Sequence, residues 1–148
     1  MPYNRHMKVF IENEAGSREK NIFNKKTFEY KKTYTVSAPY PFPYGFVIDT
    51  TSGDGDNLDC FVLTNQHLKS RDIVEVEPVG MFEQIEDGKE DHKVLACPQG
   101  ESWIIDEKTQ NILKKFVKKV FSHLPNKVIS IGRFLDAKSA RKLIDSSN

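Results

Sequence analysis

The spacing of apolar residues changes once along this chain, and that change constrains the fold more than any other feature. In the first two-thirds, short apolar runs are separated by clusters of Gly, Pro, Asn, Asp and Ser, which is typical of β-strands. From Asp106 to Leu124 the apolar residues instead recur every three or four positions, which predicts an amphipathic helix ending before Pro125. A β-rich part is therefore followed by a helical part.

The apolar runs and the turn residues between them predict individual strands and loops. Residues 37–44 contain three prolines, which lack a backbone donor, so a stiff loop is expected there. The Asp- and Gly-rich segment Asp49–Leu58 is predicted to be an exposed loop. A second helix, with Asp136 as its N-cap, is predicted after the last strand. The predicted strands are Met7–Glu12, a hairpin within Asn21–Thr35, Phe46–Ile48, Asp59–Leu63, Asp72–Val79, Gly80–Ile85, Lys93–Ala96 and Lys127–Ile131.

The order of these elements points to an α+β fold built on a β-barrel. We predict a closed or partly closed antiparallel barrel with two C-terminal helices packed against it. A chain of 148 residues is long enough for one domain, which we expect to span residues 1–148. Cys60 and Cys97 both lie in apolar runs and are expected to be small core residues.

Composition limits the classes of partner. The net charge is +1, so there is no general basic field that would attract nucleic acid, and single-stranded nucleic-acid binding is disfavoured. No apolar run approaches the roughly 20 residues that a membrane helix needs, and Met1–Lys8 lacks the apolar core of a secretory signal. We therefore expect a cytoplasmic protein without a nucleic-acid or membrane partner.

The segment that most clearly indicates a functional site is an acidic loop that leads into a strand. Asp54, Asp56 and Asp59 place three carboxylates within six residues. Two such charges about 5 Å apart repel by roughly 3 kcal/mol at an effective dielectric constant near 20. The cluster must therefore either splay into solvent or hold cations, and this segment alone leaves both alternatives open. Hard carboxylate oxygens favour Mg²⁺ or Mn²⁺.

A second acidic segment follows one strand pair later. It contains Glu86, Asp87, Glu90 and Asp91, and Lys93 comes two residues after Asp91. In a meandering sheet the two acidic segments could meet at one face of the barrel. A metal site beside a lysine would suit a polyanionic phosphate.

Several ordered motifs resemble those of the family I soluble inorganic pyrophosphatases, from about Val9 to Leu143. The family has an Asp-x-Asp-x-x-Asp signature that opens a strand, and the acidic loop matches it. The resemblance implies a five-stranded OB-type barrel with helices, in agreement with the order of elements. The other matching segments are Ile11-Glu12, Gly16-Ser17-Arg18-x-Lys20, Tyr40-Pro41-x-x-Tyr44-Gly45-Phe46, Pro78-Val79-Gly80, Glu86-Asp87 and Glu90-Asp91-x-Lys93.

The resemblance implies hydrolysis of pyrophosphate to two phosphates, with Mg²⁺ as cofactor and Mn²⁺ as a possible substitute. It also implies a homo-oligomer, with a hexamer favoured over a dimer. Asp56 would be the general base, and metal ligands would be Asp54, Asp59, Glu86 and Asp91. The residues that contact phosphate would be Lys20, Lys32, Tyr44 and Lys93, while those supporting the site from behind would be Glu12, Asp87 and Tyr40.

The chain departs from the family pattern mainly among the groups that would hold phosphate. Ile22 replaces a carboxylate, Lys32 replaces an arginine, and Val120-Phe121 stands where the family has a Tyr-Lys pair. Lysine cannot reproduce the bidentate contact of arginine. An alternative function therefore remains: a non-catalytic or weakly active paralogue that binds magnesium pyrophosphate or a nucleotide.

Overall fold

The structure, a computed structural model, describes residues 7–50 and 56–147. Within these ranges the chain forms nine strands and two helices. The strands are β1 Met7–Asn13, β2 Glu19–Phe23, β3 Tyr30–Thr35, β4 Tyr44–Val47, β5 Asp59–Val62, β6 Ile73–Glu86, β7 Lys89–Glu90, β8 Lys93–Pro98 and β9 Ile129–Asp136. The helices are α1 Glu107–Val120 and α2 Ala137–Ser146.

Five strands close into a barrel, as the sequence predicts. They pair in the order β1-β4-β5-β8-β6, and β6 pairs back with β1 to complete the ring. The prediction that the barrel is antiparallel is wrong at one pair, because β5 and β8 run parallel. The reason is topological: a closed ring of five strands cannot be antiparallel at every pair, and the other four pairs of this ring are antiparallel.

One long strand, β6, replaces the two strands predicted on either side of Val79. Its pairing with β8 shifts register between Pro78 and Gly80, so the strand bends there without ending. Gly80 allows a close approach of its neighbours, since a Cβ atom there would lie 2.6 Å from the Ile105 side chain and 2.8 Å from the Leu135 carbonyl oxygen. The bend allows β6 to pair with β1, β8 and β9.

Helix α1 begins where predicted but ends earlier. The Asp106 carboxylate accepts a hydrogen bond from the Thr109 backbone N–H at 2.9 Å, and thus caps the helix. The helix ends at Val120 rather than Leu124. The Val120 carbonyl accepts a hydrogen bond from the Ser37 backbone N–H at 3.0 Å, and the Leu124 N–H donates to the Phe121 carbonyl at 2.9 Å, so the helical bond from Leu124 to Val120 is not made. No helix in the described residues is long and apolar enough to cross a membrane.

The second helix and its preceding strand follow the prediction with one change of length. Asp136 caps α2 through the Ser139 backbone N–H at 2.9 Å. Within α2, Ala140 and Ile144 are buried. Strand β9 begins two residues later than predicted and continues to Asp136, because it pairs along the second half of β6.

Alternate residues of β5 divide the core between two clusters. Phe61 packs with Phe116 and the rest of the apolar face of α1. Cys60 and Val62 point to the opposite side of the strand and pack in the cluster that includes Ile144 of α2. Both cysteines are buried as free thiols, which confirms the prediction that they are core residues. The first cluster forms one wall of the cavity described next.

Candidate active site

A cavity of about 550 Å³ lies among the barrel, the β2–β3 hairpin and the C-terminal end of α1. Most of the site residues predicted from the sequence line this cavity. Asp54 lies outside the described residues, and Lys32 and Asp87 are not part of the lining. The predicted site residues that line the cavity are Glu12, Lys20, Tyr40, Tyr44, Asp56, Asp59, Glu86, Asp91 and Lys93.

Lys93 joins the two acidic segments at the centre of the site. Its ammonium group donates to Asp59 at 2.7 Å, to Asp91 at 2.9 Å and to the Tyr44 hydroxyl at 3.1 Å. The parallel pairing of β5 and β8 sets Asp59 directly beside Lys93. Asp91 precedes Lys93 by two residues, the spacing that places side chains on one face of an extended chain. Carboxylates that are remote in sequence therefore converge.

The charges at this centre stabilise one another. Burial alone would lower the pKa of Lys93, but Asp59 and Asp91 raise it well above the ordinary value for lysine. Burial alone would raise the pKa of Asp59, yet the ammonium groups of Lys93, Lys20 and Lys25 hold it below its usual range. Lys93 and Asp59 are therefore both charged at neutral pH. Burial also raises the pKa of Tyr44, so its hydroxyl keeps a proton to donate.

Glu12 adds a further carboxyl group at the cavity wall, and this group is buried and has a raised pKa. The residue is 4 % exposed, and burial raises its pKa to about 7, although Lys25 acts in the opposite direction. Its buried Oε2 atom accepts no hydrogen bond from the described residues, and the Lys25 ammonium is 3.6 Å away. A buried carboxylate oxygen that accepts no hydrogen bond can bind a cation more closely than it contacts the lysine.

Lys25 is a cavity residue that sequence reasoning missed. It lies in the turn between β2 and β3, where the Asn24 side chain accepts hydrogen bonds from the backbone N–H groups of Lys26 and Thr27. This turn directs Lys25 to within 3.7 Å of Asp56, in addition to its contact with Glu12. No local signal identifies it, because a lysine in a polar turn is usually solvated.

The two hairpin lysines predicted to contact phosphate have different positions. Lys20 lines the cavity half-buried, and burial lowers its pKa. Its ammonium lies 5.1 Å from the centre of the Phe121 ring. Lys32 is exposed and lies 5.1 Å from the ring centre of Tyr34 instead. The structure therefore brings Lys20 to the carboxylates and leaves Lys32 outside the cavity.

At the other side of the cavity, Glu86 pairs with a second lysine that sequence reasoning missed. The Lys127 ammonium lies 3.2 Å from Glu86 and 3.9 Å from Asp87. Asp87 is half exposed, and its carboxylate accepts a hydrogen bond from the Val128 backbone N–H at 2.9 Å, so it fixes this loop from outside the cavity. The approach of Lys127 depends on the pairing of β9 with β6, which the sequence does not reveal.

The wall formed by the end of α1 is apolar. Phe116, Val117 and Val120 are buried, and Phe121 is half-buried at the helix C-cap. All four line the cavity. The structure thus places an aromatic ring and aliphatic groups where the resemblance would put a tyrosine and a lysine.

The donor atoms fit a hard divalent cation in type, although the ligand set in the described residues is partial. No three Asp, Glu, His or Cys side chains of residues 7–50 and 56–147 are close enough together to hold a metal as they stand. The oxygens of Asp59 and Asp91 nevertheless converge on one positive charge, and Glu12 presents a buried oxygen without a hydrogen bond. Carboxylate oxygens are preferred ligands of Mg²⁺ and Mn²⁺.

Comparison with known proteins decides the family. A sequence model described as "Inorganic pyrophosphatase" matches residues 9–148. The chain belongs to the inorganic pyrophosphatase family. Membership implies a divalent metal cofactor, which agrees with the type of donor atom in the cavity.

Individual inorganic pyrophosphatases support this membership. The enzyme of Halalkalibacterium halodurans is 29 % identical, in a match covering 94 % of this chain and 91 % of the relative. That of Saccharolobus solfataricus is 33 % identical over 123 residues, which cover 82 % of this chain and 69 % of the relative. The solved structure of the Helicobacter pylori pyrophosphatase has a TM-score of 0.85 at 24 % identity, covering 96 % of this chain and 91 % of that one, and supports the fold.

Proposed function

We propose that this chain hydrolyses inorganic pyrophosphate to two phosphates with Mg²⁺ as its metal, and that Mn²⁺ can substitute. One observation carries the proposal: Asp59 and Asp91, from different segments, converge on Lys93 in a cavity of a pyrophosphatase-family chain. Asp59, Asp91 and Glu86 would hold the cations, and Asp54 would join them. Bound divalent cations lower the pKa of a water and neutralise charge on phosphate.

The side chains around this centre have the chemistry that the remaining steps need. Asp56 is 60 % exposed at the cavity, so its carboxylate can accept the proton of the attacking water. The water oxygen bonds to one phosphorus while the bridging P–O bond breaks, and the electron pair leaves with the second phosphate. Lys20, Lys93 and the Tyr44 hydroxyl can donate to phosphate oxygens as negative charge develops.

Phosphate release from pyrophosphate, measured across a Mg²⁺ titration, tests this function. We expect release that depends on Mg²⁺ and falls by at least about 100-fold in Asp56→Asn, a typical effect of losing a general base. Asp145→Asn is the matched control, because Asp145 lies on α2 outside the cavity lining. Absence of release at every Mg²⁺ concentration would reject the proposal.

The apolar end of α1 favours a second candidate: binding of a phosphoanhydride that carries an organic group, such as a nucleotide. Val120 and Phe121 cannot donate to phosphate but could contact a base or sugar. Competition between ADP and pyrophosphate measures this. Stronger binding of ADP than of pyrophosphate, with turnover of neither, would favour the second candidate over hydrolysis.

Two further expectations are part of the proposal. We propose a cytoplasmic location and a homo-oligomer, with a hexamer favoured over a dimer. Light scattering coupled to size-exclusion chromatography would give the mass of the assembly relative to the 17.0 kDa chain. A monomeric mass at micromolar concentration would contradict the assembly.

A further inference from the structure

We propose that Lys127 contacts the pyrophosphate, and that it becomes available when a divalent cation displaces it from Glu86. The inference rests on the proposed function and on Glu86 as a metal ligand. It assigns to the connection between α1 and β9 a role in substrate binding that the motifs of the sequence do not contain.

Three contacts place Lys127 at the cavity. Its ammonium lies 3.2 Å from the Glu86 carboxylate and 5.2 Å from the centre of the Phe121 ring. Its backbone N–H donates to the Leu124 carbonyl at 3.3 Å, in the turn that follows α1. Two residues further on, Ile129 pairs with Glu86 at the start of β9. The backbone position of Lys127 is therefore fixed while its long side chain can turn.

The α1 residues of the wall on which Lys127 lies offer no donor to a phosphate. Val120 and Phe121 of α1 have no donor in their side chains. His123 also lines the cavity, and its Nδ1 atom is hydrogen-bonded to the Ser37 hydroxyl at 2.6 Å. Within the described lining, the ammonium groups that approach this wall are those of Lys127 and Lys20, which lie 5.2 and 5.1 Å from the centre of the Phe121 ring.

The other cavity lysines come from other elements. Lys93 is enclosed by Asp59 and Asp91, while Lys25 and Lys20 come from the β2–β3 hairpin. A pyrophosphate has two charged ends, and one set of lysines cannot contact both closely. Lys127 and Lys20, which both lie at the Phe121 ring, can together neutralise the second end.

The pair between Lys127 and Glu86 can be exchanged at low cost. The side chains are 28 % and 26 % exposed, so water competes with the contact and its net stabilisation is small. A divalent cation carries twice the charge of the ammonium and can use the same carboxylate oxygens. Binding of the cation at Glu86 would repel the ammonium and leave it free to meet a phosphate oxygen.

This exchange predicts opposite effects of one substitution on two ligands. Lys127→Met removes the phosphate contact and also the competitor at Glu86. We expect pyrophosphate to bind on the order of 10- to 100-fold more weakly, the usual effect of losing one charge-assisted hydrogen bond. Mg²⁺ should bind the substrate-free protein equally well or a few-fold more tightly.

Isothermal titration calorimetry measures both affinities, first for Mg²⁺ alone and then, in saturating Mg²⁺, for methylenediphosphonate, a pyrophosphate analogue whose P–C–P bridge is not hydrolysed. Lys127→Arg should keep pyrophosphate affinity within about threefold of wild type, because it retains the charge. Lys119→Met is the control: Lys119 is exposed on α1, precedes Phe121 by two residues and is not part of the cavity lining. In kinetics, Lys127→Met should raise KM more than it lowers kcat.

The outcomes separate the inference from the function on which it rests. If the wild-type protein hydrolyses pyrophosphate and Lys127→Met binds it with unchanged affinity, the inference is overturned and the proposed function stays intact. Equal losses in Lys127→Met and Lys127→Arg, with a lowered unfolding temperature, would show a structural role and also overturn it. Wild-type protein that binds no pyrophosphate would reject both. The expected weakening in Lys127→Met alone, even without turnover, would support the contact.

Discussion

Replacing Lys93 by methionine should reveal how closely metal binding and folding are linked in this protein. The Lys93 side chain is 7 % exposed, and the carboxylates of Asp59 and Asp91 that it contacts are 19 % and 12 % exposed. Removing one partner of a buried ion pair costs about 3–5 kcal/mol, because the other charge remains buried. With part of the carboxylates in water, we expect a loss of about 2–4 kcal/mol in unfolding free energy.

The loss should depend on metal. A divalent cation would replace the missing positive charge between Asp59 and Asp91, so the variant should recover at least half of the lost stability in saturating Mg²⁺. Urea unfolding at neutral pH, in EDTA and in Mg²⁺, measures both values. Lys118→Met is the control, since Lys118 is exposed on α1 and should lose less than about 0.5 kcal/mol.

The pH dependence of the same variant follows from the direction of two shifts. Because the pKa of Asp59 is lowered in the folded state, its carboxylate stabilises the protein at pH values above its unfolded-state pKa. This stabilisation is lost as the pH falls through the folded-state pKa. The raised pKa of Lys93 contributes stability that is lost only as pH rises beyond the ordinary lysine range. The difference between wild type and Lys93→Met should therefore shrink in acid. A loss below about 1 kcal/mol in EDTA, or equal losses with and without Mg²⁺, would refute this reasoning.

Three other perturbations test separate parts of the structure. Because burial raises the pKa of Glu12 to about 7, the folded protein keeps a proton that the unfolded chain releases, and its stability should fall as pH rises from about 4.5 to 7. Glu12→Gln should thus gain about 2–3 kcal/mol at pH 8 in EDTA but little at pH 4.5, measured by urea unfolding; equal gains at both pH values would contradict the shift. Lys32→Ala should change kcat/KM less than about threefold in the phosphate-release assay, because Lys32 lies outside the cavity, and a loss above about tenfold would place it at the substrate. Gly80→Ala should lower the unfolding free energy by about 1–3 kcal/mol in urea, because the new methyl group would meet the Leu135 carbonyl; an unchanged value would show that β9 can move aside.

The order of strands and helices could be predicted because local patterns determine it. Alternating residues divide β5 between two core clusters, and the spacing of Leu113, Phe116, Val117 and Val120 buries one face of α1. The pairing partners of the strands could not be predicted in the same way. The parallel contact of β5 with β8 arises from the insertion of β8 beside β6, a long-range choice that no local pattern shows.

In the candidate site, too, some residues could be predicted from the sequence and others depend on long-range contacts. The convergence of Asp59, Asp91 and Lys93 could be predicted from the motif order, and the structure brings these side chains together. Lys25 and Lys127 could not be predicted, because each reaches the cavity through contacts between distant segments. Lys32 shows the opposite case, since its place in the motif alignment suggested a phosphate contact and the register of the β2–β3 hairpin leaves it exposed.

The most direct test of the account is the location of bound metal. An anomalous difference map from a crystal soaked in Mn²⁺ would show each ion independently of the protein coordinates. We predict Mn²⁺ peaks in the cavity within about 2.0–2.6 Å of carboxylate oxygens of Asp59 and Asp91, the coordination distances of hard divalent cations. Peaks confined to other surfaces, or an empty cavity at saturating Mn²⁺, would contradict the claim that these two segments form the metal centre.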